Sequence, residues 1–196
     1  RLLATADSPY QPSYPRSGWA EQSPLLWLDA LQPVVVRALA LAGLGPSDIK
    51  AMAICGQLDG CVPVDRAGTA LGPAIIWMDR RAATEIAQID ARLIQDRCGL
   101  VLDATHMAAK IKWLATHHPD RAQIAMWHQP VSFVVAALTG ESVMSHSLAS
   151  TTMLYGIGTR DWNTDLLNAF GIAKKALPRI DDESAVAGVL TSRGAA

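Results

Sequence analysis

Apolar residues recur at Leu28, Leu31, Val35, Ala38 and Ala42. That spacing of three to four marks a helix with one buried face. Ser23 followed by Pro24 supplies an N-cap and a first-turn proline, and Gly43 and Gly45 supply the stop. Pro33 lies inside the stretch and predicts a kink or a late start. Before it, residues 1–24 are rich in Pro, Ser and Tyr without either periodicity, which predicts an extended surface connection. IKAMAICGQ, residues 49–57, is short, apolar and closed by glycine, and predicts a buried strand. A second strand follows at 61–64, reversing at the D-R-A-G turn of 65–68, with Pro63 confined to an edge or bulge. PAIIWMD, 73–79, is a third short apolar run. From 80 to 98 the period becomes helical, with Ala83, Ile86, Ile89, Leu93 and Ile94 on one face and Gly99 as the stop. A helix is predicted over 107–117, ending before Pro119, and another over 130–138, ending at Thr139-Gly140. A short strand at 141–144, a small-residue loop over 147–155 and a last helix at 161–170 complete the pattern. The tail, 181–196, joins a charged turn to AVAGVL. Strands interleaved with helices predict an α/β domain.

Composition narrows the class. Of 196 residues half are hydrophobic, enough for a sizeable core and too apolar for a disordered chain. Lys and Arg number 17 against 18 Asp and Glu, a net charge of -1. That balance argues against nucleic-acid binding by phosphate neutralisation, and the absence of a basic run argues against a membrane-surface patch. The longest apolar region, 34–44, is broken by Arg37 and Gly43, short of the ~18–20 residues that span a bilayer. The opening RLLATADSPY has no apolar signal-peptide centre and no initiator Met, which suggests a cut or incompletely represented chain. Three cysteines, Cys55, Cys61 and Cys98, are too few for a disulfide framework; reduced thiols and a cytoplasmic location are the expectation.

Two corners carry candidate chemistry. In CGQLDG, 55–60, two glycines bracket Gln57, Leu58 and Asp59 where the backbone must turn sharply or approach something closely. Gln offers donors and an acceptor and Asp acceptors only, a combination that suits the hydroxyls of a polyol. The alternative is a β-turn whose Asp caps its own backbone. In WMDRRA, 77–82, Trp77 precedes Asp79, Arg80 and Arg81. An aromatic face beside a polar pair suits a sugar; Asp79 as a helix N-cap is the alternative. The five histidines lack metal-ligand spacing: His117 and His118 are adjacent and face different ways, and His106, His128 and His146 have no partner in sequence. No GxSxG, P-loop, GxGxxG or HExxH occurs.

The ordered series CGQLDG, VPVDRAGTALGPAIIWMDRRA, AAKIKWL, LTGESVMSHSLASTTMLYGI, WNTDLLNAFGI and LP resembles the FGGY family of carbohydrate kinases. In that family a (S/N)-Q-(M/R)-(H/E) turn precedes a D…G…L.PAI.W.DRR segment, a K..W helix and a TG…AS.T.L stretch. The resemblance runs from Gly18-Trp19 to Gly188-Val189-Leu190. It implies a ribonuclease-H-like, actin-like ATPase fold, a mixed sheet with flanking helices, in which two domains hold sugar and ATP between them. Residues 1–196 would form most of the first, sugar-binding domain. The D.GT strand would lie before Arg1. The Asp general base and the ATP-binding domain would lie beyond Ala196, so no catalytic residue is expected in this chain.

Residue by residue, the resemblance implies that Gln57, Leu58 and Asp59 touch substrate hydroxyls, that Trp77 walls the pocket and that Asp79 belongs to the same site. Asp59 stands where xylulokinase-like members carry His and glycerol-kinase-like members carry Glu; Thr151 stands where some members carry Arg. The implied activity is ATP- and Mg²⁺-dependent phosphorylation of a sugar or polyol hydroxyl, with a xylulose-like pentulose first among substrates. The resemblance admits a homodimer and implies neither nucleic acid nor membrane as a partner. A non-catalytic polyol-binding or interaction module, a truncated or degenerate kinase, is the alternative.

Overall fold

The computed structural model describes residues 1–192, 194 and 195. The first regular elements are a two-residue strand β1 (Glu21–Gln22) and the long helix α1 (Pro24–Ala42). Ser23 precedes α1 in extended backbone, Pro24 opens its first turn, and Gly43 closes it at φ 68, a left-handed conformation that glycine adopts without steric cost. The helix continues through Pro33. Proline removes one N–H but keeps a helical φ, and its exposed position leaves room for the ring. By length and composition alone α1, with a mean hydropathy of 1.6 over its apolar window, is long enough to cross a membrane. It therefore exceeds the apolar length anticipated from the uninterrupted run, because Arg37 does not end the helix. Trp27 anchors α1 edge-on against Phe133, their ring centroids 6.3 Å apart.

The strand expected at 49–57 is not formed: the segment has no ladder partner and is mostly exposed. Apolar sequence alone does not make a strand; its N–H and C=O groups need a neighbouring strand, and none of the described strands runs beside it. The next strand does form, β2 (Val62–Val64), antiparallel to β4 (Met126–His128). Its turn is held by Asp65, whose Oδ1 accepts from the N–H groups of Ala67 and Thr69. β3 (Ala74–Ile75) pairs with β1.

The predicted helix over 80–98 is divided into a 3-10 turn, Arg81–Ala83, and helix α2 (Ala91–Cys98). Asp90 restarts the helix by accepting from Arg92 N–H, so an internal N-cap interrupts what the apolar stripe alone reads as continuous. α3 (Met107–His117) and α4 (Pro130–Thr139) match their predicted spans closely. β5 (Val143–Ser145), the short helix α5 (His146–Ser150), β6 (Tyr155–Gly156), β7 (Asp161–Trp162), α6 (Thr164–Phe170) and β8 (Arg179–Asp181) follow. Part of the stretch expected as a loop over 147–155 is thus helical, because the Ser145 hydroxyl accepts from Leu148 N–H and caps α5.

Among the described residues the strands pair as four two-stranded ladders, one of them (β5 with β8) parallel, so parallel and antiparallel pairing are mixed. The larger core gathers α2, α3 and α6 around Ile94, Met107, Ile111, Met153, Leu154 and Leu166. A smaller one joins α1 and α4 to β2 and β3 through Trp27, Val62, Ile76 and Phe133. All three cysteines are free, and burial pushes the Cys61 thiol up to about 12, so it packs as an apolar side chain.

His128, buried at the end of β4, places Nδ1 3.1 Å from the Ser132 hydroxyl. Burial holds its pKa down at about 4. The folded chain therefore keeps His128 neutral while the unfolded chain takes up a proton below about 6.5. Stability falls as pH drops from about 6.5 to about 4, by about 3 kcal/mol in total from this group. Urea melts at pH 7 and pH 4.5 will show that loss in the wild-type chain and a shallower one in His128→Asn.

Candidate functional site

The 56–60 bend is built on the first turn of α4 and the entry of α3. Gly60 passes so close to α4 that a Cβ there would lie 2.6 Å from Pro130 Cγ; no other residue fits without displacing the helix. Asp59 adopts φ 60, in the left-handed region that Asp tolerates better than most side chains. Each of its polar groups but one is held. Its N–H donates to Gln129 Oε1 at 2.9 Å, its carbonyl accepts from Lys110 Nζ at 2.6 Å, and its Oδ2 lies 3.2 Å from His106 Nδ1. Oδ1 is buried and has no hydrogen-bond partner. The side chain is not a cap on its own turn, the alternative open to it in sequence; it is turned inward with one oxygen unspent.

Lys110, fully buried, supports the same bend from below. Its ammonium donates to the carbonyls of Asp59 and Thr105, and burial lowers its pKa to about 8. Gln129 is also fully buried; its Nε2 donates to Leu148 O at 2.8 Å, so one amide ties the bend to α5. The sequence marks His106 only as a histidine without metal-ligand spacing and Lys110 only as part of the K..W helix, and does not mark Gln129 at all. Lys110 had a signal, as the first position of that motif; the roles of Gln129 and His106 become visible only when α3 and α4 meet the bend. Gln129→Leu keeps the volume but leaves Asp59 N–H without an acceptor, and will lower stability by about 1–3 kcal/mol in chemical denaturation. Gln129→Glu keeps the acceptor but sets a buried carboxylate oxygen against Leu148 O, and will lose at least as much.

Gln57 donates from Nε2 to Gln22 Oε1 at 2.8 Å, and its own Oε1 is a second buried acceptor without a partner. Leu58 is exposed between them. Gln57 also edges a cleft of about 310 Å³ bounded by residues 6–10, α1, 54–57 and the start of α4; Asp59 does not line it.

The second corner is a closed ion-pair cluster. Asp79 is fully buried. Its Oδ2 accepts from Ala20 N–H at 2.6 Å and from Arg81 Nη2 at 2.7 Å, and its Oδ1 from Arg81 N–H at 2.9 Å. Arg81 also pairs with Glu21 at 2.7 Å, and its guanidinium carbon lies 3.6 Å above the Trp19 ring. Both Asp79 oxygens are thus occupied; the bond from Arg81 N–H closes an Asx-type turn ahead of the 3-10 turn Arg81–Ala83, whose N-cap is Arg80 rather than Asp79. Trp77, expected as a pocket wall, is half-exposed. The two corners meet through β1. Successive strand side chains face opposite ways, and here Glu21 reaches Arg81 while Gln22 reaches Gln57.

The sequence matches the N-terminal domain of the FGGY family of carbohydrate kinases over residues 1–196. The chain belongs to this family. It is 36% identical to a glycerol kinase from Thermococcus gammatolerans over 89% of its own length and 37% of that protein's. Its structure matches a xyloylose kinase from Brucella ovis with a TM-score of 0.90 at 28% identity, covering 95% of this chain and 40% of that one. A xylulose kinase from Rhodospirillum rubrum matches with a TM-score of 0.85, also at 28% identity, covering 96% and 40%. The chain therefore spans about two fifths of the length of these relatives. The ribonuclease-H-like, actin-like α/β fold implied by the motifs is the fold observed.

Within this FGGY domain, the described residues hold no group of three or more His, Cys, Asp or Glu side chains placed to bind a metal ion.

Proposed function

We propose that the protein containing this chain transfers a phosphoryl group from ATP to a hydroxyl of a sugar or polyol, and that this chain supplies the sugar-binding half. The single observation that carries the reading is the buried, unpartnered Oδ1 of Asp59, an acid whose N–H, carbonyl and Oδ2 are all held. An unpaired buried acceptor costs about 1–3 kcal/mol, and a substrate hydroxyl donating to it removes that cost. Gln57 Oε1 offers a second acceptor two residues away. Phosphoryl transfer depends on positioning and charge stabilisation more than on covalent help from the protein, so a rigid holder of hydroxyls is the contribution this half makes. Family membership supports the reaction class, and the relatives named glycerol kinase and xylulose kinase support glycerol and xylulose as candidate substrates.

In this reading ATP, Mg²⁺ and the general base are held by parts of the protein beyond this chain, and the enzyme acts in the cytoplasm. Asp79 and Arg81 position the strand that carries Gln22, and Trp77 offers an open aromatic face. The full-length gene product, supplied with ATP and Mg²⁺, will release ADP only when glycerol, D-xylulose or a related polyol is added. Saturable polyol binding without ADP release would reject the transferase reading and leave a binding module.

A further inference from the structure

The nature of the groups around Asp59 restricts which hydroxylated compounds it can receive. A carboxylate is an acceptor only. Its Oδ2 faces His106 Nδ1 at 3.2 Å, so in the neutral ring Nδ1 carries the proton and Nε2 becomes a further acceptor. Gln57 commits its amide donor to Gln22 and leaves Oε1. The cations of this corner are already spent. Lys110 donates to the carbonyls of Asp59 and Thr105, and Arg80 pairs with Asp103 at 2.8 Å. Asp103 in turn accepts from the Thr105 N–H and hydroxyl, next to His106. With the His106 ring neutral, the bend thus presents acceptors and, among the described residues, no free positive charge.

We propose that His106 is a specificity-determining positioning residue: by holding Asp59 Oδ2 it fixes an acceptor-only corner that admits neutral polyhydroxy compounds and turns away sugar acids. This rests on the reading of the bend as the polyol site. A hydroxyl brings the donor that Asp59 Oδ1 lacks. A substrate carboxylate brings only acceptors and a like charge, and finds no cation to meet it. His106 acts through Asp59, by keeping Oδ1 rather than Oδ2 turned toward the substrate.

The test is steady-state kinetics of the full-length gene product with ATP and three acceptors: glycerol, D-xylulose and D-gluconate. The better of the two neutral acceptors will exceed gluconate in kcat/KM by at least about a hundredfold, since an unmatched buried charge is strongly penalised. His106→Phe, which removes the ring N–H, will raise the KM for the neutral acceptor about tenfold with a smaller change in kcat and none in the KM for ATP. His106→Asn, which keeps a donor near Oδ2, will recover most of that loss. Gluconate used as well as the neutral acceptors overturns the proposal while leaving the kinase reading intact, and so does an unchanged KM in a folded His106→Phe. Turnover of none of the three, with ADP release on another polyol, overturns this proposal and leaves the kinase reading; no ADP release with any polyol overturns both. The wild-type comparison needs no variant, so a variant that fails to fold does not remove the test.

Discussion

Arg81→Ala will lower the unfolding free energy by about 3–5 kcal/mol, the range for a buried pair that loses one partner. The reason is the partner left behind. Asp79 is fully buried, and without the guanidinium it keeps only the backbone N–H groups of Ala20 and of position 81 to balance its charge. Glu21 loses its ion pair, and Trp19 loses the cation seated 3.6 Å from its ring centre. For a chain of this size the loss corresponds to about 2–4 °C of melting temperature per kcal/mol, measurable by calorimetry. Arg81→Lys will recover only part of it, because an ammonium cannot reproduce the planar fork or the stacking on Trp19. Pairing Arg81→Ala with Asp79→Asn will be less destabilising than the sum of the two changes, because the second removes the charge that the first strands. Additive losses would show that the pair is not coupled, contrary to its geometry.

Asp59→Asn will raise the KM for the sugar or polyol by about 10- to 150-fold, equivalent to the 1.5–3 kcal/mol of a hydrogen bond to a charged acceptor. The KM for ATP will stay within a factor of two or so, because this bend does not carry the nucleotide in the proposed arrangement. The choice of replacement matters. Asp59 sits at φ 60, where Asn and Gly are tolerated and Ala is strained. Asp59→Gly therefore removes the carboxylate at little backbone cost, and Asp59→Ala adds strain to the same loss. Similar acceptor kinetics for the Gly and Ala variants would tie the effect to the carboxylate. Equal losses for sugar and ATP, or no loss for either, would remove Asp59 from the substrate site.

Local signals were sufficient for several elements. Ser23-Pro24 and Gly43 bound α1, Pro119 follows the end of α3, and Gly140 ends α4, because caps and breakers act through backbone geometry within a few residues of themselves. The D-R-A-G turn after β2 formed for the same reason. Signals that depend on a neighbour were not sufficient. Residues 49–57 have the composition of a strand and no described strand beside them. Residues 80–98 have a continuous apolar stripe, yet Asp90 starts a new helix inside it.

The candidate site divides in the same way. The amino-acid order alone marked the glycine-bracketed bend and the W.DRR corner, placed the chain in its kinase family and α/β class, and singled out both acids. Tertiary structure decided what those acids do. Asp79 is saturated by Arg81 and Ala20 N–H, while Asp59 is oriented by His106, supported by Lys110 and left with one open oxygen. Those partners lie between 2 and 59 positions away along the chain. Whether a carboxylate is spent or available depends on which donors the folded chain brings to it, and long-range packing sets that distance.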